Sequence, residues 1–149
     1  MTTFETPSPD DRIMAALSHA AILIPTIGIF APIVIWITQK EKSKYVAFQS
    51  LQALAFQISL VLLWLVGMGC YMLSFLGVFS SSFFPSAGSG MEDWGIVIPL
   101  FVFGLIFLGA FIFLLYGIVA AVMAFQGKPF RYALIGNMVE RFLQQNREP

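Results

Sequence analysis

The sequence predicts an all-α membrane protein with three hydrophobic helical segments and a C-terminal amphipathic surface helix. The chain is 58% hydrophobic and 11% charged, whereas soluble domains carry about 25% charged residues. Three long stretches contain no Asp, Glu, Lys or Arg, and these are residues 13–37, 47–79 and 96–125. Because about 20 apolar residues in a helix cross a hydrocarbon core of about 30 Å, each stretch is long enough to span a bilayer.

Residues 1–10 are predicted to form a mobile polar N-terminus that leads into the first helix. Ser8 can accept a hydrogen bond from a backbone amide of the first turn, and Pro9 suits the first helical position. Asp10 and Asp11 then lie at the positive end of the helix dipole. We therefore interpret these carboxylates as parts of a helix start rather than as catalytic groups.

Prolines interrupt the first hydrophobic segment. Pro25 and Pro32 lack backbone N–H groups, and Gly28 lies between them. Two alternatives follow. The segment is either one kinked span, or two short helices over residues 11–24 and 29–39 that form a hairpin entering and leaving on one side.

His19 and Cys70 are the titratable groups within the hydrophobic stretches that chemistry could use. An ionisable side chain in a membrane segment is a functional hypothesis by default. His19 is interpreted as a neutral, hydrogen-bonded packing residue in preference to a proton carrier or ligand. Cys70 has no second thiol to pair with, so we expect it to be a small core residue.

The second hydrophobic segment begins with amide side chains. At about 100° per residue, Gln49, Gln52, Phe56 and Ser59 share one helical face, and Gln57 lies well round from them. Uncharged amides are costly in lipid unless they meet a partner. The segment would measure about 50 Å as a helix, which is more than one span needs, so its first turns are expected in the interface or inside the protein. The predicted polar packing or partner contacts are His19, Gln49, Gln52, Gln57 and Ser59.

The C-terminal part contains a loop, a span and an amphipathic helix. The loop of residues 80–95 has no Lys or Arg, and its adjacent Glu92 and Asp93 are expected to be solvated rather than to bind a cation. From Leu134 onward, apolar pairs recur every four residues between charged and amide side chains, which predicts a helix on the membrane surface or against the loop at Lys40. Residues 11–132 are thus assigned to a single transmembrane domain, and residues 133–149 to an amphipathic cytoplasmic tail.

Basic residues near the spans predict the orientation in a plasma (inner) membrane. Lys40, Lys42 and Lys44 follow the first segment, more basic residues follow the last, and the loop of residues 80–95 has none. Because Lys and Arg are retained on the cytoplasmic side, the first loop and the C-terminus are predicted to be cytoplasmic, with residues 80–95 outside. A hairpin would place all 8 Lys and Arg residues inside, and a kinked span would leave Arg12 outside.

Several short motifs resemble a known family. They are DRIMAALSH at residues 11–19, PIVIW at 32–36, YV at 45–46, QAL at 52–54, FQ at 56–57 and GKPFRY at 127–132. Together they resemble a family of small prokaryotic membrane proteins of uncharacterised function, grouped with the Tic import-channel subunit of the chloroplast inner envelope. In the plant relatives a longer insert separates the first two helices, which gives four spans with both ends on one side. The resemblance therefore favours the hairpin, although this chain lacks the insert, and it implies no catalytic residues.

These features predict a non-enzymatic integral membrane protein, a structural or accessory subunit of a larger membrane complex. The sequence has no nucleotide-binding loop, no metal-ligand cluster and no nucleophile beside a base, so no catalytic residue, metal or cofactor is assigned. The expected partners are the lipid bilayer and other membrane subunits or further copies of the chain, and the zero net charge gives no reason to expect nucleic acid. The alternative is an oligomeric pore or translocation component of Tic-like type, with His19 and the glutamines lining a cavity. A membrane enzyme is disfavoured because His19 stands nearly alone among Ser, Gln and Tyr.

Overall fold

All regular elements that the structure describes are helices. The computed structural model describes residues 6–24, 26–83, 97–128, 130–133 and 135–145, without the side chains of residues 81–83, and contains no strand within them. The elements are α1 (Pro9–Ala20), a 3₁₀ turn (Ala21–Leu23), α2 (Phe30–Gln39), α3 (Lys44–Phe83), α4 (Val97–Phe125) and α5 (Ile135–Gln145). The predicted all-α class is therefore confirmed. The loop predicted at residues 80–95 starts later than predicted because α3 continues to Phe83, and its residues 84–95 lie outside the described part.

The N-terminus of α1 has the predicted cap. The Ser8 hydroxyl accepts a hydrogen bond from the Asp11 N–H at 3.1 Å, and the Ser8 N–H donates to Asp11 Oδ2 at 3.0 Å, with Pro9 in the first turn. Partial burial raises the pKa of Asp11, but hydrogen bonds from Ser8 and Ser43 outweigh this and hold that pKa below its ordinary value. The carboxylate thus serves the helix start.

The first hydrophobic segment consists of two short helices. α1 and α2 pack together, with Ile35 against the buried Ala15. Between them, a side chain at Gly28 would place its Cβ 1.9 Å from the Ala21 carbonyl oxygen, so glycine is required there. Pro32 falls in the first turn of α2, where its missing N–H costs no intrahelical hydrogen bond. Pro25 lies outside the described residues. The structure therefore has the two short helices of the second alternative.

α3 and α4 are long and apolar enough to cross a membrane. The most apolar 18-residue windows of the candidate spans Lys44–Ser80 and Val97–Phe125 have mean hydropathies of 2.0 and 2.8, and 17% and 6% of these windows are buried. Side chains such as Leu73 and Phe101 are 71% and 66% exposed. Large apolar surfaces of this kind fit lipid rather than water. The first predicted segment, residues 13–37, contains no helix of such length, because the α1–α2 turn divides it and α2 has 10 residues.

The chain divides into two compact units, which are described separately. Unit 2 comprises Leu60–Phe113. Its helical segments meet at Gly67, where a Cβ would lie 3.0 Å from the Ile106 side chain, and at Tyr71 and Phe103, whose ring centroids are 5.5 Å apart. Cys70 is exposed, so its assignment to the core is wrong. Two helical segments that share one seam leave most of their positions facing outward.

Unit 1 comprises Met1–Ser59 and Leu114–Pro149, and the first turns of α3 lie in its interior. Val46, Phe48 and Ala53 are at most 2% exposed. The Tyr45 hydroxyl donates to the backbone carbonyls of Ala124 at 3.2 Å and Lys128 at 3.3 Å, which joins α3 to the end of α4. The start of the second segment was predicted to lie either in the membrane interface or inside the protein. In the structure it lies inside the protein.

Candidate functional site

Unit 1 contains a buried group of polar side chains from three parts of the chain, called here the polar cluster. α1 contributes Ser18 and His19; α3 contributes Gln49, Ser50, Gln52 and Gln57; the segment after α4 contributes Tyr132 and the carbonyl of Phe130. His19 is 1% exposed, and Gln49 and Gln52 are fully buried. Buried polar groups require hydrogen-bond partners, so the bonding pattern defines what this cluster can do.

The donor and the acceptor of each hydrogen bond around His19 can be assigned. The Phe130 carbonyl can only accept, so Gln49 Nε2 donates to it at 3.2 Å and Gln49 Oε1 faces His19 Nε2 at 3.1 Å. That oxygen also can only accept, so Nε2 carries the imidazole proton. His19 Nδ1 is then the acceptor for the Tyr132 hydroxyl at 3.1 Å. Both ring nitrogens of a neutral imidazole are thereby satisfied.

Gln52 fastens the segment after α4 to α3. Its Nε2 donates to the Phe130 carbonyl at 3.1 Å, and its Oε1 accepts from the Tyr132 N–H at 3.1 Å. One amide side chain thus satisfies a backbone donor and a backbone acceptor in the segment between α4 and α5. This segment contains the GKPFRY motif, but nothing in the sequence identified Phe130 and Tyr132 as the partners of the glutamines.

Aromatic rings enclose the polar cluster. Phe56 stacks on Tyr132 with centroids 4.2 Å apart and planes at 9°, and Tyr116 meets Tyr132 edge-on at 5.2 Å. Phe130 lies edge-on to His19 at 6.2 Å. Burial raises the pKa of Tyr132, and the neighbouring Tyr116 adds to this, so its hydroxyl stays protonated and remains a donor to His19.

A second set of hydrogen bonds joins α1 to α3. The Ser18 and Ser50 hydroxyls are 2.8 Å apart, and Gln57 Nε2 donates to the Ser18 carbonyl at 3.4 Å. Gln57 is buried although it lies well round from Gln49, because α1 covers that side of α3.

Ser59 is not part of the polar cluster, although helical periodicity places it on the same face of α3 as Gln49 and Gln52. It is exposed, and its hydroxyl donates to the Ala55 carbonyl within α3 at 2.8 Å. Ser59 is the last residue of α3 within unit 1. The helical angle identified the correct side of α3, but it could not show how far along the helix the covering elements extend.

The hydrogen-bond pattern around His19 is that of a buried packing residue. His19 bonds to an amide and a phenol, and no carboxylate is among its hydrogen-bond partners. Within the described residues, no group of three or more His, Cys, Asp or Glu side chains could hold a metal ion. A general base needs a free nitrogen directed at a substrate, whereas both His19 nitrogens bond to the protein itself.

Two long apolar helices with exposed side chains, together with a polar cluster bonded to its own chain, define a helical membrane protein. The chain belongs to the magnetosome magnetite crystal formation protein family (MamF_MmsF), whose family model matches residues 10–139. The match runs from α1 into α5, and it agrees with the expected family of small membrane proteins. No curated protein and no solved structure matches the chain. The comparisons give no support to the grouping with the Tic subunit.

Proposed function

We propose that this chain is a non-enzymatic accessory protein of the magnetosome membrane that supports magnetite crystal formation as a structural subunit of a larger membrane assembly. The family description supplies the process and the compartment. The observation that carries the non-enzymatic role is the polar cluster, in which His19, Gln49 and Gln52 bond to α3 and to the segment after α4. A cluster of this kind specifies how unit 1 folds and leaves the apolar helix faces as contact surfaces.

The pore alternative receives less support from the same geometry. A conduit requires polar side chains that face its lumen. His19, Gln49 and Gln52 are buried inside a single chain, and α3 and α4 expose chiefly apolar side chains. Association through those faces builds a packed assembly more readily than a hydrated channel.

The proposed threading places α3 and α4 across the bilayer and the α1–α2 hairpin in one leaflet. Outward apolar side chains on the hairpin, such as Leu17 at 54% and Phe30 at 59% exposure, suit lipid contact. The loop with Lys40 and Lys44 and the C-terminus then face the cytoplasm, and residues 80–95 face the opposite compartment.

Deletion and complementation in a magnetite-forming bacterium test this proposal. Loss of the chain should change crystal size or number in electron micrographs, and wild-type protein should restore them. His19→Gln and Tyr132→Phe remove the acid–base groups while retaining most of the volume. We expect crystal size to follow the amount of each variant in isolated magnetosome membranes, with Ser59→Ala as the control.

Two results would count against the proposal. Crystals unchanged by the deletion would remove the role in magnetite formation. A His19→Gln protein present at wild-type level but unable to restore crystals would indicate chemistry at His19. The subunit role has its own test, because mild detergent extraction that yields a lone monomer without co-purifying membrane proteins would contradict it.

A further inference from the structure

One side of α5 packs on the rest of unit 1, and the opposite side is exposed. Gly136 and Val139 are buried, and a Cβ at Gly136 would lie 3.0 Å from Gln52 Oε1. Met138 and Phe142 are 59% and 47% exposed. α5 is therefore held at a fixed position beside the polar cluster, with two large apolar side chains directed away from it.

The exposed arc of α5 has an apolar flank and a polar flank. At about 100° per residue, Met138 and Phe142 lie together at one edge of the arc, and Asn137 and Gln144 lie at the other. Arg141 and Gln145 lie between the two edges and are exposed. The arc thus has apolar side chains at one edge and basic and amide side chains over the rest, which matches the gradient from acyl chains through headgroups to water.

The charge on this arc is positive. Glu140 is the acidic residue of α5 as described, and its carboxylate accepts a hydrogen bond from Arg131 at 2.9 Å. Arg131 also lies over the Phe48 ring, with its guanidinium carbon 5.5 Å from the centroid. The Glu140 carboxylate is thus directed toward the rest of unit 1. Arg141 faces outward and complements an anionic surface.

The chain between α4 and α5 keeps this arc near the bilayer. α4 ends at Phe125 and α5 begins at Ile135. A connection of that length reaches at most about 30 Å when extended, and here the Gln52 hydrogen bonds fold it back on α3. The lipid that surrounds the end of α4 is therefore the nearest surface available to Met138 and Phe142.

We propose that α5 is an interfacial helix that binds anionic phospholipid. Met138 and Phe142 enter the outer acyl region, and the Arg141 guanidinium binds the headgroup phosphate. This inference depends on a bilayer around α3 and α4 and not on the role in magnetite formation, so either can fail without the other.

Spin labelling of the full chain in lipid nanodiscs tests the inference. The background is Cys70→Ser, because the native thiol is exposed, and the label is attached through Phe142→Cys or, as the matched control, Gln144→Cys. Oxygen concentrates in lipid and a nickel chelate stays in water. In discs containing phosphatidylglycerol we expect the oxygen-to-nickel accessibility ratio to be about fivefold higher at the first site than at the second. Arg141→Gln should lower the ratio at the first site toward its value in phosphatidylcholine discs.

Each other outcome overturns a stated part of the inference. High nickel accessibility at both sites would place the whole arc in water. Protection of the Phe142→Cys label from both reagents would show that a protein chain, a second copy or a partner, covers it. A ratio that ignores both lipid charge and Arg141→Gln would remove the headgroup contact. Met138→Cys and Asn137→Cys provide a second pair if a variant fails to fold.

Discussion

The Phe130 carbonyl sets the direction of every hydrogen bond around His19. Because it can only accept, it fixes the orientation of the Gln49 amide, which fixes the His19 tautomer and leaves Nδ1 to accept from Tyr132. A histidine held in this way stabilises the contact between α1, α3 and the segment after α4. Its contribution is best measured by removing it, because two buried partners then lose their hydrogen bonds.

Replacing His19 with alanine is expected to destabilise the protein by about 3 kcal/mol. Gln49 Oε1 and the Tyr132 hydroxyl would each be left buried without this partner, and an orphaned buried group costs about 1–3 kcal/mol. Thermal unfolding in detergent measures the effect as a melting temperature lower by several degrees. Ser59→Ala is the control, since an exposed substitution changes stability by less than about 0.5 kcal/mol. Equal melting temperatures for the two variants would contradict the structural role of His19.

The segment between α4 and α5 depends on Gln52. Gln52→Leu keeps the volume and removes the partner of the Tyr132 N–H. We expect hydrogen exchange in residues 130–133 to accelerate about fivefold, since one buried hydrogen bond is worth about 1 kcal/mol. Gln57→Leu is the matched control, because Gln57 bonds to the Ser18 carbonyl instead. If both variants accelerate exchange there equally, Gln52 does not hold this segment specifically.

At the scale of elements, the turn between α1 and α2 does not tolerate a side chain at Gly28. Gly28→Ala would drive a methyl group into the Ala21 carbonyl, so the turn must open. We expect a loss of more than about 2 kcal/mol, whereas Gly69→Ala, with nothing within 4 Å, should be neutral or stabilising by up to about 1 kcal/mol. Melting temperatures of the two variants measure the contrast. Similar values would mean that the turn adapts.

Local chemistry in the sequence predicted the elements well. The Ser8 cap, the broken first segment and the amphipathic helix that starts near Leu134 all follow from residues close in the chain. Gln49 and Gln52 could be recognised because amides are costly in lipid. Their partners could not, because Tyr132 lies 80 residues from Gln52 and a backbone carbonyl carries no sequence signal.

Two residues of α3 have surroundings that the sequence did not predict, and both cases have one cause. Cys70 was expected inside and Ser59 was placed on the glutamine face, yet both are exposed on α3. An apolar stretch looks alike whether protein or lipid covers it, so composition does not show where the packed part of a long helix ends. That boundary comes from the tertiary contacts of unit 1, whose part of α3 ends at Ser59.

At the scale of the whole molecule, unit 1 carries every described charge. The described part of unit 2, by contrast, exposes apolar side chains along α3 and α4. The described charges thus lie outside the most apolar stretches of α3 and α4, as expected of helices that cross lipid. For the proposed role as a structural subunit, the exposed apolar faces of these helices are available for assembly within the bilayer.

Cysteine labelling from each side of sealed membrane vesicles tests this threading most directly. In a Cys70→Ser background, we expect an impermeant maleimide on the cytoplasmic side to label Lys42→Cys, Gln145→Cys and Thr3→Cys. Ser86→Cys should be labelled only from the opposite side. Labelling of Ser86→Cys from the same side as Lys42→Cys would contradict the two spans, and labelling of Thr3→Cys from the opposite side would contradict the α1–α2 hairpin.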